Sequence, residues 1–277
     1  MTKLQLGPIG VSVLPADGDD FRNATAELAD LGYATIWVAG GALQRLQQLA
    51  DVVDATRTVQ VGSGIISVDR FDRAAVAAAY AEIEARHPGR FLVGLGGAHG
   101  PRPLRTLAGY LDALDSVPPR VPAASRVLAA LGPRMLELAR DRAAGAYSFL
   151  VTPGYTAQAR ALLGEHVALV VGQFAAVEPD PRRARELARG RLRFLSTAGG
   201  YAANLRRMGF SEDEIAQLAD RLIDGVVAWG DLDAIAERVG QHLAAGADQV
   251  ALSVLSAGPP GSLPTRQWRQ LAQALVA

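Results

Sequence analysis

With 277 residues, 49% of them hydrophobic and only 6% aromatic, the chain can bury a large core, filled mainly by Ala, Val and Leu. Lys plus Arg and Asp plus Glu both number 28, so no net field draws it to nucleic acid or to an anionic membrane, and the lack of cysteine removes disulfides, thiol nucleophiles and thiolate metal sites together. The N-terminal "MTKLQLGPIGVSV" has no long apolar h-region, and no run approaches the ~18 apolar residues of a membrane span, so the expectation is a cytoplasmic protein with neither a membrane nor a nucleic-acid partner.

Short β-like runs alternate along the chain with longer Ala/Leu/Arg/Glu runs of helical period. Strands are expected at 6–13 (LGPIGVSV), 35–40 (TIWVAG), 59–67 (VQVGSGIIS) and 91–97 (FLVGLGG). Four more follow at 126–131 (RVLAAL), 147–152 (YSFLVT), 167–177 (VALVVGQFAAV) and 249–255 (QVALSVL). "ADLGY" (29–33) and "AAGAD" (244–248) each put a glycine just past a helix and just before a strand, where a left-handed cap is needed. Eight strands each followed by a helix, in a chain near the ~250 residues typical of the fold, predict a single α/β domain over 1–277, a (β/α)8 TIM barrel.

The surplus lies between the seventh and eighth strands. Residues 178–230 read as a helical insertion with an Arg-rich helix (181–194), a loop through "STAGGY" (196–201) and further helices around 211–227, placed to cover part of the barrel mouth. The arginines of "PRRARELARGRLRF" are interspersed with acids, Glu178, Asp180 and Glu186, which reads as a solvated helix face rather than a nucleic-acid patch.

Several chemistries are excluded by inspection. Lys3 is the only lysine, so there is no Walker lysine and no Schiff-base lysine deep in the chain; no GxSxG elbow exists either. The histidines His87, His99, His166 and His242 are scattered, and no metal site is expected. In "GLGGAHG" the third glycine of a dinucleotide fingerprint would fall on His99, which weakens a Rossmann reading.

In a barrel of this kind function gathers at the C-terminal ends of the strands. Three ends stand out. Gly62 and Gly64 flank a serine after the third strand, and Gly96, Gly97, Ala98 and His99 follow the fourth; such glycines allow a flat ligand to lie against backbone. After the fifth strand, Gly132, Pro133 and Arg134 open a helix, where free N–H groups and a guanidinium suit an anion, unless Arg134 simply faces solvent. Histidine is the residue type suited to passing a proton at neutral pH, which makes His99 a candidate proton donor; otherwise it is a loop residue that caps backbone.

The segments "DLGYATIWVA", "ATRTVQVGSGII", "EARHPGRFLVGLGGAHGP", "RVLAALGPRMLELARDRAAGAY" and "VAWGDLDAIAERVGQHLAAGADQVALSVL" together resemble the luciferase-like monooxygenase superfamily, and more closely its branch of oxidoreductases dependent on the deazaflavin coenzyme F420. The resemblance implies a (β/α)8 barrel with an insertion before the last strand and a cis peptide at Gly64–Ile65 against the deazaflavin ring. It also implies a phosphate site at Ala130, Leu131, Gly132 and Arg134, with Gly96 and Gly97 beside the ring. His99 falls where relatives place an acid or histidine facing the substrate. Relatives carry an acidic residue just after the second-strand tryptophan, whereas "WVAGGA" offers Gly40 and Gly41. The expected consequence is a wider, less polar pocket, or else a tight turn whose space residues such as Tyr201 refill.

The implied activity is hydride transfer between reduced F420 and a small organic substrate, with His99 as proton donor. Two alternatives stand beside it: an FMN-dependent monooxygenase, and a non-catalytic barrel that binds a ligand or a partner subunit. Assembly into a homodimer is left open.

Overall fold

The computed structural model describes residues 3–195, 199–259 and 261–276. Its strands are β1 (Ile9–Val13), β2 (Thr35–Val38), β3 (Gln60–Ser63), β4 (Ile66–Ser67), β5 (Phe91–Gly96), β6 (Arg126–Ala129), β7 (Gly145–Phe149), β8 (Ala168–Val177), β9 (Val227–Gly230) and β10 (Gln249–Val254). The helices of the barrel proper are α1 (Asp19–Asp30), α2 (Gln47–Asp54), α3 (Arg73–Arg86), α4 (Pro103–Ser116), α5 (Pro133–Arg142) and α6 (Pro153–Leu163). After β8 come α7 (Pro181–Leu195), α8 (Gly199–Arg207), α9 (Glu212–Gln217) and α10 (Asp220–Val226), then α11 (Leu232–Ala244) and α12 (Thr265–Leu275).

All strand pairings are parallel, in the order β10-β1-β2-β3-β5-β6-β7-β8, and β8 closes the ring by pairing with β10 from Val170↔Gln249 to Ala175↔Val254. The eight-stranded (β/α)8 barrel expected from the alternation is therefore the observed architecture. The glycines expected as helix caps, Gly32 and Gly246, sit at φ +87° and +99°, a region that costs a side-chain-bearing residue energy. Among the described residues, no helix is long and apolar enough to cross a membrane.

Several strand ends depart from expectation, the first strand starting only at Ile9 and the fifth stopping at Ala129. The run 59–67 is two strands, because the chain leaves the sheet after Ser63 and rejoins β5 only at Ile66. The strand expected at 147–152 begins at Gly145 rather than at Tyr147, and stops at Phe149 because Leu150 turns to φ +56°. The insertion ends in a strand, not a helix. β9 pairs with β8 from Phe174↔Val227 to Val177↔Gly230, on the edge that β7 vacates after Phe149↔Gly172. The loop expected through "STAGGY" is helical from Gly199, and residues 196–198 of it lie outside the described residues.

Three apolar clusters support this frame. The largest lies between strands and outer helices, where Leu28, Val53, Ile83, Leu111, Ala139 and Leu271 meet the outward faces of the sheet. A second holds the insertion together around Leu192, Leu205, Phe210, Leu222 and Ile223. The third fills the barrel, with Trp37, Leu92, Val127, Tyr147, Val170 and Ala251 pointing inward from six different strands.

A buried polar contact outside the barrel joins α11 to α6. His242, in the last turn of α11, is fully buried with Nδ1 2.8 Å from the Thr156 hydroxyl on α6, while its Nε2 has no partner among the described residues. Burial, aided by the nearby Arg238 charge, lowers its pKa from 6.5 to about 4. Between those two values the unfolded chain binds a proton that the folded chain refuses, so stability is complete above about pH 6.5 and declines as pH falls towards 4. The loss is expected to be on the order of 2–3 kcal/mol. In urea unfolding at pH 7 and pH 5, His242→Gln, which keeps a partner for Thr156, should lose markedly less stability between the two than the wild type does; parallel losses would contradict this account.

Candidate functional site

The barrel interior sets the floor of the site. Trp37 lies fully buried across it, and Tyr147 meets its edge with the ring centroids 5.1 Å apart. Two rings of that size fit only where the facing strands carry no side chain: a Cβ on Gly62 would lie 2.4 Å from the Trp37 ring, and one on Gly172 would lie 2.8 Å from Tyr147. The Trp37 indole N–H donates to Gln249 Oε1 at 2.7 Å, and Gln249 in turn donates to the Gly7 carbonyl and the Thr35 hydroxyl. The floor is thus a packed layer in which the indole N–H and the Gln249 amide are satisfied.

Above it, the chain crosses from β3 to β4 through Gly64 and Ile65, whose shared peptide bond is cis, as the resemblance implies. Ser63 replaces the interrupted ladder with its side chain, donating to the Gly94 carbonyl at 3.0 Å and accepting from the Gly94 amide at 2.8 Å. On the other side Gly64 N–H donates to the Val38 carbonyl and the Gly64 carbonyl accepts from Gly40 N–H. Gly64 and Ile65 are partly solvent-accessible.

These contacts correct the expectation at Gly40. Its missing side chain opens no space, because a Cβ there would stand 1.7 Å from the Ile65 carbonyl oxygen. Gly41 is different: it is exposed, and a Cβ there would meet nothing within 4 Å. Neither residue has positive φ. Tyr201, expected to fill the space at Gly40, sits on α8 against Phe149 instead, with centroids 6.3 Å apart. Phe149 also meets Phe174 at 4.8 Å, so one side of the mouth is walled by aromatic rings.

Gly96 and Gly97 are occupied by the protein itself. The open side of Gly96 is taken by Ala129 Cβ, which a Cβ would approach to 2.6 Å, and by Ile65; Gly97, at φ +68°, faces Ser67. Their smallness first serves backbone packing beneath Ile65. His99 is exposed in the following loop, and its backbone N–H donates to Asp69 at 2.8 Å. That bond ties the loop to the β4–α3 connection and leaves the imidazole exposed.

The β6 end has the arrangement of an anion site. Ala130 is buried, and its carbonyl accepts from Ser148 at 2.8 Å and from Tyr155 at 3.3 Å, while the Leu131 carbonyl accepts from Tyr155 at 2.8 Å. In trans peptides the N–H points opposite to the C=O, so the amides of Leu131 and Gly132 are turned away from these hydroxyls. Gly132 caps α5 and Pro133 starts it, leaving the first-turn amide of Arg134 without an intrahelical partner. Arg134 itself is exposed, in no hydrogen bond or ion pair among the described residues. Burial pushes the Tyr155 hydroxyl up to about 12, with Ser148 and the positive Arg207 opposing, so it stays a donor at neutral pH.

Arg207 was not singled out in the sequence. It reaches from α8 so that its guanidinium lies 3.5 to 3.7 Å from where a Gly132 side chain would begin, held by one long hydrogen bond to Asn204 Oδ1 at 3.4 Å. Among the described residues no carboxylate pairs with it, and the Asn204 side-chain amide nitrogen beside it is buried without an acceptor. A guanidinium over the positive end of a helix with no counter-charge fits the phosphate of a flavin or deazaflavin. No signal in the local sequence marks it, since it comes from the insertion. Among the described residues no three metal-ligating side chains cluster.

No protein-family model and no curated protein matches the chain in sequence. Solved structures match the fold over nearly its whole length. The coenzyme F420-dependent tetrahydromethanopterin reductase of Methanopyrus kandleri superposes with a TM-score of 0.75 at 16% identity, covering 99% of each chain. An F420-dependent secondary alcohol dehydrogenase in complex with an F420-acetone adduct gives 0.73 at 13% identity, covering 99% of this chain and 98% of its own. The FMN-bound oxygenating constituent of 3,6-diketocamphane monooxygenase from Pseudomonas putida, a type II Baeyer-Villiger monooxygenase, gives 0.68 at 10% identity over 98% of both. Deazaflavin and flavin enzymes thus share this architecture, the pairing that the sequence resemblance implies. At such identities the likeness is one of fold.

The glycine contacts lead to opposite expectations for two neighbouring substitutions. Gly40→Ala should destabilise by about 2 kcal/mol or more, since backbone must move, whereas Gly41→Ala should change stability by less than about 1 kcal/mol. Thermal unfolding of both variants checks the difference; similar losses would show that Gly40 is not pressed against Ile65.

Proposed function

We propose that the chain is an oxidoreductase of the luciferase-like superfamily that binds coenzyme F420 and moves a hydride between it and a small organic substrate. The observation that carries this reading is the Arg207 guanidinium, without a carboxylate partner among the described residues, over the amide-rich start of α5 after β6, with the Gly64–Ile65 shelf between β3 and β4 one strand away across β5. The likeness to two F420-dependent enzymes among the solved structures supports it. When bound, the reduced deazaflavin supplies the hydride.

The chain's own residues have separable tasks in this reading. The amides of Leu131, Gly132 and Arg134, with the Arg207 guanidinium and the exposed Arg134 side chain, hold the phosphate. Gly64 and Ile65 offer a backbone surface for the ring, backed by Trp37 and Tyr147. The Tyr147 hydroxyl is kept protonated by burial and by the neighbouring Tyr201, so it remains able to donate a hydrogen bond. Phe149, Phe174 and Tyr201 keep water from one side. His99, exposed in its loop, delivers or removes the proton through its imidazole.

FMN-dependent oxygenation on the same barrel is the second reading, favoured by the FMN-bound neighbour. Titration of the purified protein with F420 and with FMN, followed by cofactor fluorescence, separates the two. The expected result is saturable binding of F420 and weaker binding of FMN; the reverse order would replace the first reading by the second, and no binding of either would leave a non-catalytic barrel. Arg207→Gln should weaken F420 binding about tenfold while leaving the phosphate-free deazaflavin unaffected. Equal loss for both ligands would remove Arg207 from the phosphate site.

His99→Ala should lower turnover by about 10² or more with little change in cofactor affinity. A variant with the wild-type rate at every pH would take His99 out of the reaction.

A further inference from the structure

The insertion carries a concave surface that the barrel site does not use. α7 is fixed inward by Ala184, Ala188 and Leu192, all buried. Its other side presents Arg182, Arg185, Arg189 and Arg193, spaced three to four residues apart and therefore aligned along one face. With Glu186 and Asp220 these arginines line a groove of about 720 Å³. A second groove of about 440 Å³, bounded by Glu212, Ile215 and Leu218, shares Arg189 and Arg193 with the first, so the two run together.

The sequence alone reads these arginines as a solvated face balanced by acids, and the structure bears that out for two of them. Arg185 pairs with Asp224 at 2.7 Å and Asp220 at 2.9 Å, and Arg189 pairs with Asp220. The first groove still carries four guanidinium groups against two carboxylates. Among the described residues no aromatic side chain lines either groove to stack bases, and a flexible chain of carboxylates matches the surface better than nucleic acid does. Neighbouring residues of α8 connect the second groove with the start of α5. Arg206 pairs with Glu212 of the second groove at 2.7 Å, and its neighbour on α8, Arg207, covers Gly132.

Coenzyme F420 continues from its phosphate into a chain of γ-linked glutamates, each with a free carboxylate, whereas FMN ends at its phosphate. Resting on the deazaflavin reading above, we propose that the α7 arginine tract binds this oligoglutamate tail and that the insertion thereby selects F420 over FMN. The tail leaves the phosphate at Arg207 and follows the two grooves, where Arg193 and Arg182 meet its carboxylates and Arg185 and Arg189, tied to Asp220 and Asp224, hold the groove in shape. Contacts of this exposed kind are individually weak and screened by salt, so their signature is cumulative and ionic-strength dependent.

The test is a fluorescence titration of the full chain with F420 bearing one, three or six γ-glutamyl residues, at low and at high salt. Affinity should rise with tail length at low salt, on the order of 5- to 30-fold from one residue to six, and the rise should vanish at high salt. In the double variant Arg182→Gln/Arg193→Gln the three forms should bind alike, with the one-residue form bound as tightly as by the wild type, which also shows that the variant is folded. Equal affinities for all tail lengths in the wild type would overturn the tail site while leaving the deazaflavin reading in place. A length dependence that survives in the double variant would overturn it too, and failure of every form to bind would overturn both.

Discussion

The narrowness of the barrel is the constraint on which the rest depends. A ring of eight short parallel strands leaves too little room for an inward side chain at every position, and this one is filled by two large aromatic residues, Trp37 and Tyr147, that cross the interior edge to face. The crossing is possible only because Gly62 and Gly172 stand where side chains would otherwise clash. Gln249, holding the indole nitrogen from the far side of β1, fixes the orientation of Trp37 and so the height of everything above it. The shelf at Gly64–Ile65 rests on this layer, and Gly40 and Gly94 close on the shelf from either side.

Above the floor the labour is divided. The barrel supplies shape: a flat backbone shelf, a turn whose carbonyls are engaged by Tyr155 and Ser148, and amides left over on the opposite side. The insertion supplies charge and cover. Its own apolar cluster, its Ser211–Glu214 capping box and the Arg185–Asp224 pair make α7 to α10 a built unit rather than a loose loop, which is why a single arginine on α8 can be held over the start of α5.

Much of this frame was legible in the sequence because it is written in periodicity. Parallel strands buried on both faces read as apolar runs, and Gly32 and Gly246 mark the helix ends through a conformational need that other residues meet poorly. The Gly-Pro start of α5 was equally plain. What the sequence concealed are contacts made at long range. Gly145 and Ala146 begin β7 although small residues are weak strand formers, because Gly145 lies close to Ala168 on the neighbouring strand. Gly40 reads as open space but is pressed by a backbone that returns only at Ile65. Arg207 belongs to a helix with no motif, and only the packing of the insertion brings it to Gly132. Gly96 and Gly97 show the converse, since a glycine-rich strand end suggests a wall for a ligand where the structure uses the room for its own Ile65 and Ser67.

The way the insertion joins the barrel has its own consequence. Val177 at the end of β8 and Gly230 at the end of β9 are paired partners in one parallel ladder, so the chain departs into the insertion and, after it, towards α11 from neighbouring points. The segment between them is a removable cassette whose two splice points are already held in register. A lineage, or a laboratory, could exchange it for one of another length without reopening the ring. Chimaeras cut within that ladder would inherit the floor from one parent and the lid from the other.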